Sequence, residues 1–333
     1  MAKLESKFHE FLCAIEPDKK AVNYAMKAHE PLRDYLSNKD EIFSERFIDS
    51  FLYGSYKRHT AVGNIKDVDI VVLTNYNEND EPNNVLKDLK SALARYYKDP
   101  ENPEYQRRSI RVNDPLPDTN TEMTLDVIPA ILVTDEDSPL KVPDREVGKW
   151  VDTHPRGHIK HSTALNEESY SNGRFVPLVK IVKWWWKHQC SDKQPKVKRP
   201  KPKGFWLECL VSENFDRSKD NYAEHFVTLL ENVYCKYKDV KDVPELDDPG
   251  LIGKKIVTGM SKSEFSKFMN VLKESLDLSK NALSLDDEAD SSEEWRKVFG
   301  QKFPLVRKSS NSSMEKKDVS FAVPAPKPWH NNE

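Results

Sequence analysis

The sequence predicts an α+β protein in which a mixed sheet is followed by a helical lobe. Apolar runs of strand length at residues 66–73 and 122–132 lie among helical patterns in the first half of the chain. From Arg174 onward, apolar residues recur at helical spacing. We therefore divide the chain into N-terminal helices with a sheet-bearing core (1–160), a helical C-terminal lobe (161–308) and a flexible tail (309–333).

The composition predicts a folded cytoplasmic protein without a membrane partner. The 333 residues are 37% hydrophobic and 32% charged, which suffices to bury a core. The chain has no apolar run long enough for a membrane helix, no apolar secretory leader, and four cysteines without a C-x-x-C pair. The net charge of -3 does not favour nucleic-acid binding, which usually needs a basic footprint.

The first half is predicted to begin with helices, because Phe8, Phe11, Leu12 and Ile15 follow i, i+3, i+4, i+7 spacing. The later elements are predicted as a helix over Glu41–Phe51 that ends before Gly54, a strand over Lys66–Leu73, a helix over Glu81–Tyr97, strands over Ser109–Val112 and Glu122–Leu132, and a connector with short elements over 133–173.

The second half is predicted to be helical in the segments RFVPLVKIVKWWWKHQ, FWLECLVSENF, YAEHFVTLLENVYCKY and KSEFSKFMNVLKESLDLSKNAL. Trp184, Trp185 and Trp186 cannot share one helix face, so we expect core and inter-lobe packing. The basic run from Lys193 to Lys203 is expected to be a solvated loop, although it would also suit nucleic acid or an acidic partner. His158 and His161 are expected at the polar surface, with a ligand role as the alternative.

Two carboxylates, Asp67 and Asp69, stand at the start of an apolar strand. Side chains at i and i+2 of a strand share a face, so their charges repel unless solvent or a cation neutralises them. Asp126 lies in a second apolar strand, where an unpaired charge is unfavourable. Converging carboxylates favour a two-metal site for Mg²⁺, with Mn²⁺ as a substitute. A solvated strand start is the alternative for the first pair.

A Gly-Ser pair precedes these acids at Gly54 and Ser55. Glycine lets backbone amides approach a phosphate, and the serine hydroxyl can donate to one. The sequence contains neither G-x-x-x-x-G-K-[ST] nor G-x-G-x-x-G, so a P-loop enzyme and a dinucleotide fold are not indicated.

The combination of Gly54-Ser55, Thr60, Asp67-Val-Asp69 and Asp126 resembles the polymerase-β-like nucleotidyltransferases. The segments HPRGHIKHSTALNEES, NGRFVPLVKIVKWWWK, KGFWLECL and EEWRKVFGQKFP narrow the resemblance to the bacterial cGAS/DncV-like nucleotidyltransferases (CD-NTases) of CBASS anti-phage systems, relatives of oligoadenylate synthetase. The resemblance covers about residues 50–305. It implies a nucleotidyltransferase core with a mixed sheet, a helical lobe, and an active site in the cleft between them.

The resemblance also implies roles for particular residues. Asp67 and Asp69 would bind both metal ions, and Asp126 would bind the ion that activates the acceptor hydroxyl. Gly54 and Ser55 would hold the donor triphosphate.

Two residues of the helical lobe are implied in nucleotide binding. Lys183 would reach the triphosphate, with a surface lysine as the alternative reading. Phe205 would stack on a nucleobase, with simple core packing as the alternative. Relatives often have a serine before this aromatic residue, whereas this chain has Gly204.

The implied reaction is the attack of a ribose hydroxyl on the α-phosphate of an NTP, with release of pyrophosphate, repeated to a cyclic di- or trinucleotide second messenger in antiviral defence. ATP is the first expected substrate, followed by GTP or pyrimidine NTPs, and regulatory CBASS proteins are candidate partners. The alternatives are a linear oligonucleotide synthetase, a transferase that modifies RNA or protein, and a catalytically silent nucleotide-binding scaffold.

Overall fold

The computed structural model describes residues 2–40, 42–63, 65, 67–115, 122–135, 137–193, 201–256 and 258–307. All the named strands lie before residue 154, where four helices are interspersed with them, and further helices follow. The first helices are α1 Glu5–Ile15, α2 Lys19–Asn38, α3 Gly54–Lys57 and α4 Pro82–Tyr97. The strands are β1 Phe47–Tyr53, β2 Asp67–Thr74, β3 Glu104–Tyr105, β4 Ile110–Pro115, β5 Glu122–Leu132, β6 Leu140–Asp144 and β7 Lys149–Thr153. The later helices are α5 Pro155–Asn166, α6 Glu168–Ser171, α7 Phe175–Lys193, α8 Gly204–Asn214, α9 Tyr222–Tyr237, α10 Lys262–Ser284 and α11 Glu288–Phe299, followed by a 3₁₀ turn at Gly300–Lys302.

Several helices begin at side chains that accept hydrogen bonds from their otherwise unpaired first-turn amides. The Asp18 carboxylate accepts from the Lys20 amide at the start of α2, and Asn221 accepts from the Glu224 amide at the start of α9. Ser261 and Glu264 form a reciprocal capping box at the start of α10. These caps set where the helices begin.

The sheet is mixed and has the order β1-β2-β5-β4-β3, with β6 pairing with β5 and β7. β2 and β5 run parallel in its centre, whereas β1 and β4 flank them antiparallel. Alternate residues of β2 divide between two cores. Val68, Ile70 and Val72 pack with α2 and α4, whereas Val71 and Leu73 pack in a smaller cluster with β6. Asp67 and Asp69 share the parity of this second face.

A second core joins α7–α11, which we call the helical lobe, with α1. Trp185 contacts Phe226 and Phe268 ring to edge. Phe8 of α1 packs against Trp295 and Phe299 of α11. The buried residues of α1 thus belong to the helical lobe's core, whereas those of α2 belong to the core of the sheet. In the described part of the chain, no helix combines the length and the apolarity needed to cross a membrane.

The predicted helix over Glu41–Phe51 is wrong, because Phe47–Tyr53 forms β1 and pairs antiparallel with β2. Apolar residues at positions 47 and 51 imitate one turn of a helix. This segment forms backbone hydrogen bonds with the edge of β2 rather than the hydrogen bonds of a helix.

The connector predicted over 133–173 contains the hairpin β6–β7 and the helix α5. Core packing of the tryptophans is confirmed, since Trp185 and Trp186 are buried and Trp184 is partly buried against the helical lobe. In the basic run, the side chain of Lys193 and residues 194–200 lie outside the described residues, as does the tail from 308 onward. Lys201, which follows the gap, donates to the carbonyl of Gly259.

Candidate active site

Four side chains form a row across the sheet on the strands β1, β2, β5 and β4. Tyr53 is the register partner of Asp69, Asp69 that of Asp126, and Asp126 that of Arg111. Residues directly opposite on neighbouring strands point to the same face. The row therefore places two of the predicted acids side by side on rigid strands, and Asp67 lies two residues before Asp69 on that face.

The turn after β1 packs against Asp69. Gly54 has a φ of +71°, and a Cβ built on it would lie 1.8 Å from Asp69 Oδ2. Ser55 follows in the short helix α3, where its carbonyl accepts from the Thr60 amide at 3.0 Å. Gly54 and Asp69 are thus packed against each other, which is compatible with the predicted phosphate-binding turn beside a predicted metal ligand.

The pKa of Asp69 is raised in the folded protein. Burial and, after it, the neighbouring charges of Asp126 and Asp67 raise its pKa to about 6, while Arg58 and Arg111 oppose this shift. Asp67 itself is exposed at the first position of β2. At Asp69, burial and like charges thus outweigh the two arginines, and a bound cation would relieve this repulsion.

Arg111 holds Asp126 through two hydrogen bonds. Its Nε lies 3.0 Å from Asp126 Oδ1, and its Nη2 lies 2.7 Å from Oδ2. Within the described ranges, no three His, Cys, Asp or Glu side chains are yet placed to hold a metal ion. Asp67, Asp69 and Asp126 offer the carboxylate oxygens that Mg²⁺ prefers, and all three lie on one face of the paired strands β2 and β5. Arg111 uses one lone pair on each Asp126 oxygen, so Asp126 would bind a metal ion in competition with this arginine's charge.

A buried ionic cluster lies beside this row. Lys183 Nζ donates to Thr60 Oγ1 at 2.8 Å, to the Thr60 carbonyl at 3.3 Å and to Glu208 Oε2 at 3.0 Å. Arg58 Nε donates to Glu208 Oε1 at 2.8 Å, as does Ser162 Oγ at 2.7 Å. The cluster ties the turn after β1 to α5, α7 and α8.

The surface alternative for Lys183 is wrong, because its side chain is only 8% exposed. Burial lowers the pKa of Lys183, with Glu208 opposing this shift. For Glu208, burial favours the neutral acid, but Lys183 and Arg58 hold its pKa well below the usual range. The three N–H donors of Lys183 match three protein acceptors, so its triphosphate role remains a prediction.

Phe205 is half-buried at the start of α8 and is not a simple core residue. The Arg58 guanidinium carbon lies over its ring, 5.1 Å from the centroid, and the His158 ring lies 4.9 Å away. The ring thus lies between Arg58, His158 and the core of the helical lobe, and its stacking on a nucleobase stays a prediction. A Cβ at Gly204 would lie 3.4 Å from Lys183 Cε, so the serine of relatives would contact this lysine.

The prediction of polar surface for His158 is wrong. His158 is buried in α5 at 4% exposure, where Tyr53 Oη lies 2.7 Å from its Nδ1 and Asp248 Oδ1 lies 2.7 Å from its Nε2. His161 is half-buried, with its Nε2 2.8 Å from Ser212 Oγ. The sequence around His158 is polar and gives no sign of its burial, because its hydrogen-bond partners come from distant parts of the chain.

Sequence reasoning missed Arg58, Arg111, Tyr53 and Glu208. Of these, Glu208 had a visible signal, as a lone carboxylate in the apolar segment FWLECLV. Arg111 had none, because its role depends on the register of β4 against β5.

The chain is similar to known proteins in sequence and in fold. Residues 2–166 match the family model "Second Messenger Oligonucleotide or Dinucleotide Synthetase domain". The chain is 35% identical to a cyclic AMP-AMP-AMP synthase of Acinetobacter sp., over 96% of this chain and 90% of that protein. It is 27% identical to a cyclic AMP-AMP-GMP synthase of Enterobacter hormaechei, over 91% of this chain and 92% of that protein.

A solved structure shares the fold. The structure of E. coli MS115-1 CdnC with ATP matches with a TM-score of 0.71 at 17% identity, over 90% of this chain and 98% of that chain. The fold of the described chain is thus that of polymerase-β-like nucleotidyltransferases. Together with the 35% identity to a full-length relative, this shows that the chain belongs to the cGAS/DncV-like nucleotidyltransferases (CD-NTases) of CBASS anti-phage systems.

Proposed function

We propose that this chain is a Mg²⁺-dependent synthase that condenses NTPs, ATP foremost, into a cyclic trinucleotide with release of pyrophosphate. The observation that carries the proposal is the register of Asp69 opposite Asp126 beside the Gly54–Ser55 turn. Carboxylates on two neighbouring strands beside a phosphate-binding turn suit in-line phosphoryl transfer.

The roles of the residues follow from their places. The Gly54 and Ser55 turn would hold the β- and γ-phosphates of the donor, since it presents backbone amides and a hydroxyl next to Asp69. Asp67, Asp69 and Asp126 would hold two Mg²⁺ ions, with Mn²⁺ as a substitute. When bound, such ions lower the pKa of the acceptor hydroxyl and neutralise charge on the phosphates.

Lys183 would reach the triphosphate by exchanging one of its protein acceptors for a phosphate oxygen. Phe205 would stack on a nucleobase from its half-buried position at the start of α8, beside Arg58 and His158. Lys183 donates to Thr60, whose amide donates to the Ser55 carbonyl, so this exchange would take place beside the proposed phosphate-binding turn.

The trinucleotide product is supported by the two curated relatives described above, which are named as synthases of cyclic AMP-AMP-AMP and cyclic AMP-AMP-GMP. The match of the solved structures supports the fold and not the choice of bases. ATP is therefore the substrate to test first, alone and together with GTP.

The test is an analysis of products. The purified chain is incubated with ATP, with each other NTP and with all four, in Mg²⁺ or Mn²⁺, then treated with phosphatase and analysed by mass spectrometry. The expected result is a phosphatase-resistant cyclic trinucleotide that is absent with the Asp67→Asn/Asp69→Asn variant. Linear products would support a linear synthetase instead, and a product made equally well by the variant would overturn the assignment of the acids.

A further inference from the structure

A hydrogen-bonded chain of three side chains leads from a loop of the helical region to the active-site strand β1. Tyr53 Oη lies 2.7 Å from His158 Nδ1, and His158 Nε2 lies 2.7 Å from Asp248 Oδ1. The residues come from β1, from α5 and from the segment after α9. None of the residue roles that the resemblance implies involves these three hydrogen-bonded side chains.

The direction of the hydrogen bonds follows from the acceptor at its end. Burial favours a neutral Asp248, but His158 and the amides of Gly250 and Leu251 hold its pKa below the ordinary value, so it is a carboxylate that can only accept. His158 therefore donates from Nε2, and a neutral imidazole then accepts at Nδ1. The Tyr53 hydroxyl, whose oxygen lies 2.7 Å from Nδ1, then donates to this acceptor nitrogen.

The Asp248 end of the chain is fixed by backbone contacts. Asp248 Oδ1 accepts from the Gly250 amide at 2.9 Å and from the Leu251 amide at 3.2 Å. Gly250 in turn lies flat against the imidazole, since a Cβ on it would lie 2.6 Å from His158 Cδ2 and 2.8 Å from Nε2. The ring of His158 is thus locked between the loop and the tyrosine.

The Tyr53 end of the chain belongs to the active site. Tyr53 precedes Gly54 and is the register partner of Asp69. The Arg58 guanidinium carbon lies 5.3 Å from the Tyr53 ring centroid and 5.1 Å from that of Phe205, and Phe205 also touches His158. A displacement of Tyr53 would therefore reach the phosphate-binding turn on one side and the aromatic face on the other.

We propose that Tyr53, His158 and Asp248 form a positioning relay that sets the Gly54–Ser55 turn and Phe205 for nucleotide binding. The inference rests on the proposed function for its substrate, an NTP. The relay residues touch no reacting atom in this account. They act through the turn and the aromatic ring, so their loss weakens nucleotide binding more than it slows the bound reaction.

The test compares variants that disturb the relay in different ways. Tyr53→Phe removes only the hydroxyl, and Gly250→Ala pushes on His158 while leaving all three hydrogen-bonding groups in place. His158→Asn keeps an acceptor near the Nδ1 position, whereas His158→Leu does not. His161→Leu, one turn along α5, is the matched control because it breaks a separate hydrogen bond to Ser212.

The readouts are KM and kcat for ATP in pyrophosphate release, the Kd of a non-hydrolysable ATP analogue with Mg²⁺, and the thermal unfolding midpoint. Tyr53→Phe and Gly250→Ala are expected to raise KM and Kd about three- to tenfold, the range expected for one lost or distorted hydrogen bond. His158→Asn should lie closer to the wild type than His158→Leu. His161→Leu should leave KM and Kd unchanged.

A double variant separates positioning from general stability. Ser55→Ala removes the predicted phosphate contact, so Tyr53→Phe added to it should weaken binding by less than it does alone. Lowered unfolding midpoints with unchanged KM and Kd, or fully additive effects with Ser55→Ala, would overturn the relay. Absence of any product from the wild type would overturn the proposed function instead, and the Kd measurements would still decide the relay.

Discussion

Gly54 and Asp69 lie so close together that only a glycine fits opposite this carboxylate. A Cβ at position 54 would lie 1.8 Å from Asp69 Oδ2 and 2.8 Å from Asp69 Cγ, and the backbone at Gly54 has a φ of +71°. Gly54 and Asp69, which are fifteen residues apart in the sequence, thus contact each other directly. The proposed phosphate-binding turn and the proposed metal ligand therefore constrain each other's position.

Gly54→Ala should reduce synthase activity by about a hundredfold, because the added methyl group displaces either the turn or Asp69 by about an ångström. The rate of pyrophosphate release at saturating ATP checks this. Gly173→Ala is the matched control, since Gly173 also has a φ of +71° but has nothing within 4 Å of its Cβ position. It should lose about 1 kcal/mol of stability and retain activity. Equal activity losses in the two variants would attribute the effect to backbone strain alone.

Arg111→Gln should strengthen Mn²⁺ binding several-fold in the absence of nucleotide. Arg111 now holds both oxygens of Asp126 and adds a positive charge beside the proposed site, and both effects oppose a cation. Isothermal calorimetry with Mn²⁺ measures this directly, with Arg107→Gln as the control, because Arg107 pairs with Asp144 instead. Weaker Mn²⁺ binding by Arg111→Gln would contradict the proposed competition.

Asp69→Asn should stabilise the metal-free protein at pH 8 but not at pH 4. Burial and the charges of Asp126 and Asp67 raise the Asp69 pKa from 3.8 to about 6, so the folded state binds its proton more tightly than the unfolded state. Folding stability from this group therefore falls as pH rises from about 4 to 6 and stays reduced above that.

The asparagine removes this penalty, which is about 1–3 kcal/mol for a shift of about two pKa units in a partly solvated group. Urea unfolding in EDTA at both pH values gives the difference between variant and wild type. A difference that does not change with pH would rule out charge as its origin.

Glu208→Gln should destabilise the fold by about 3–5 kcal/mol, because it leaves Arg58 and Lys183 buried without a counter-charge. The stabilisation by Glu208 is present above its ordinary pKa of 4.5 and is lost as pH falls below that value, since its folded pKa is lowered. Denaturant unfolding at pH 7.5 is the measurement.

Glu231→Gln is the control for this prediction, because its partner Lys280 is 47% exposed and the pair should contribute under about 1 kcal/mol. If both substitutions have the same small effect, the buried cluster is not what joins the turn after β1 to the helical lobe.

The three acids and most of the helices could be predicted from the sequence, whereas the side chains that surround the acids could not. The i, i+2 spacing of Asp67 and Asp69 places them on one face through local geometry alone. The position of Asp126 opposite Asp69 requires the parallel pairing of β2 and β5, which no local pattern encodes. Arg111 enters only because β4 pairs with β5 in one register.

Long-range pairing also explains the errors. The segment now in β1 has helical spacing, and the edge of β2 decides its structure instead. His158 looked like surface because its partners lie 105 residues before it and 90 residues after it. Glu208 could have been singled out as a lone acid in an apolar helix, but Arg58, 150 residues away, could not have been named as its partner.

The central claim is that the three carboxylates support metal-dependent condensation of ATP, and an assay of this reaction tests it most directly. The wild type and Asp126→Asn are incubated with ATP in Mg²⁺ and in EDTA, and pyrophosphate release and cyclic product are measured together. The account predicts product for the wild type in Mg²⁺ only, and a loss of at least about a hundredfold in Asp126→Asn. Product at wild-type rates from Asp126→Asn, or from the wild type in EDTA, would contradict it.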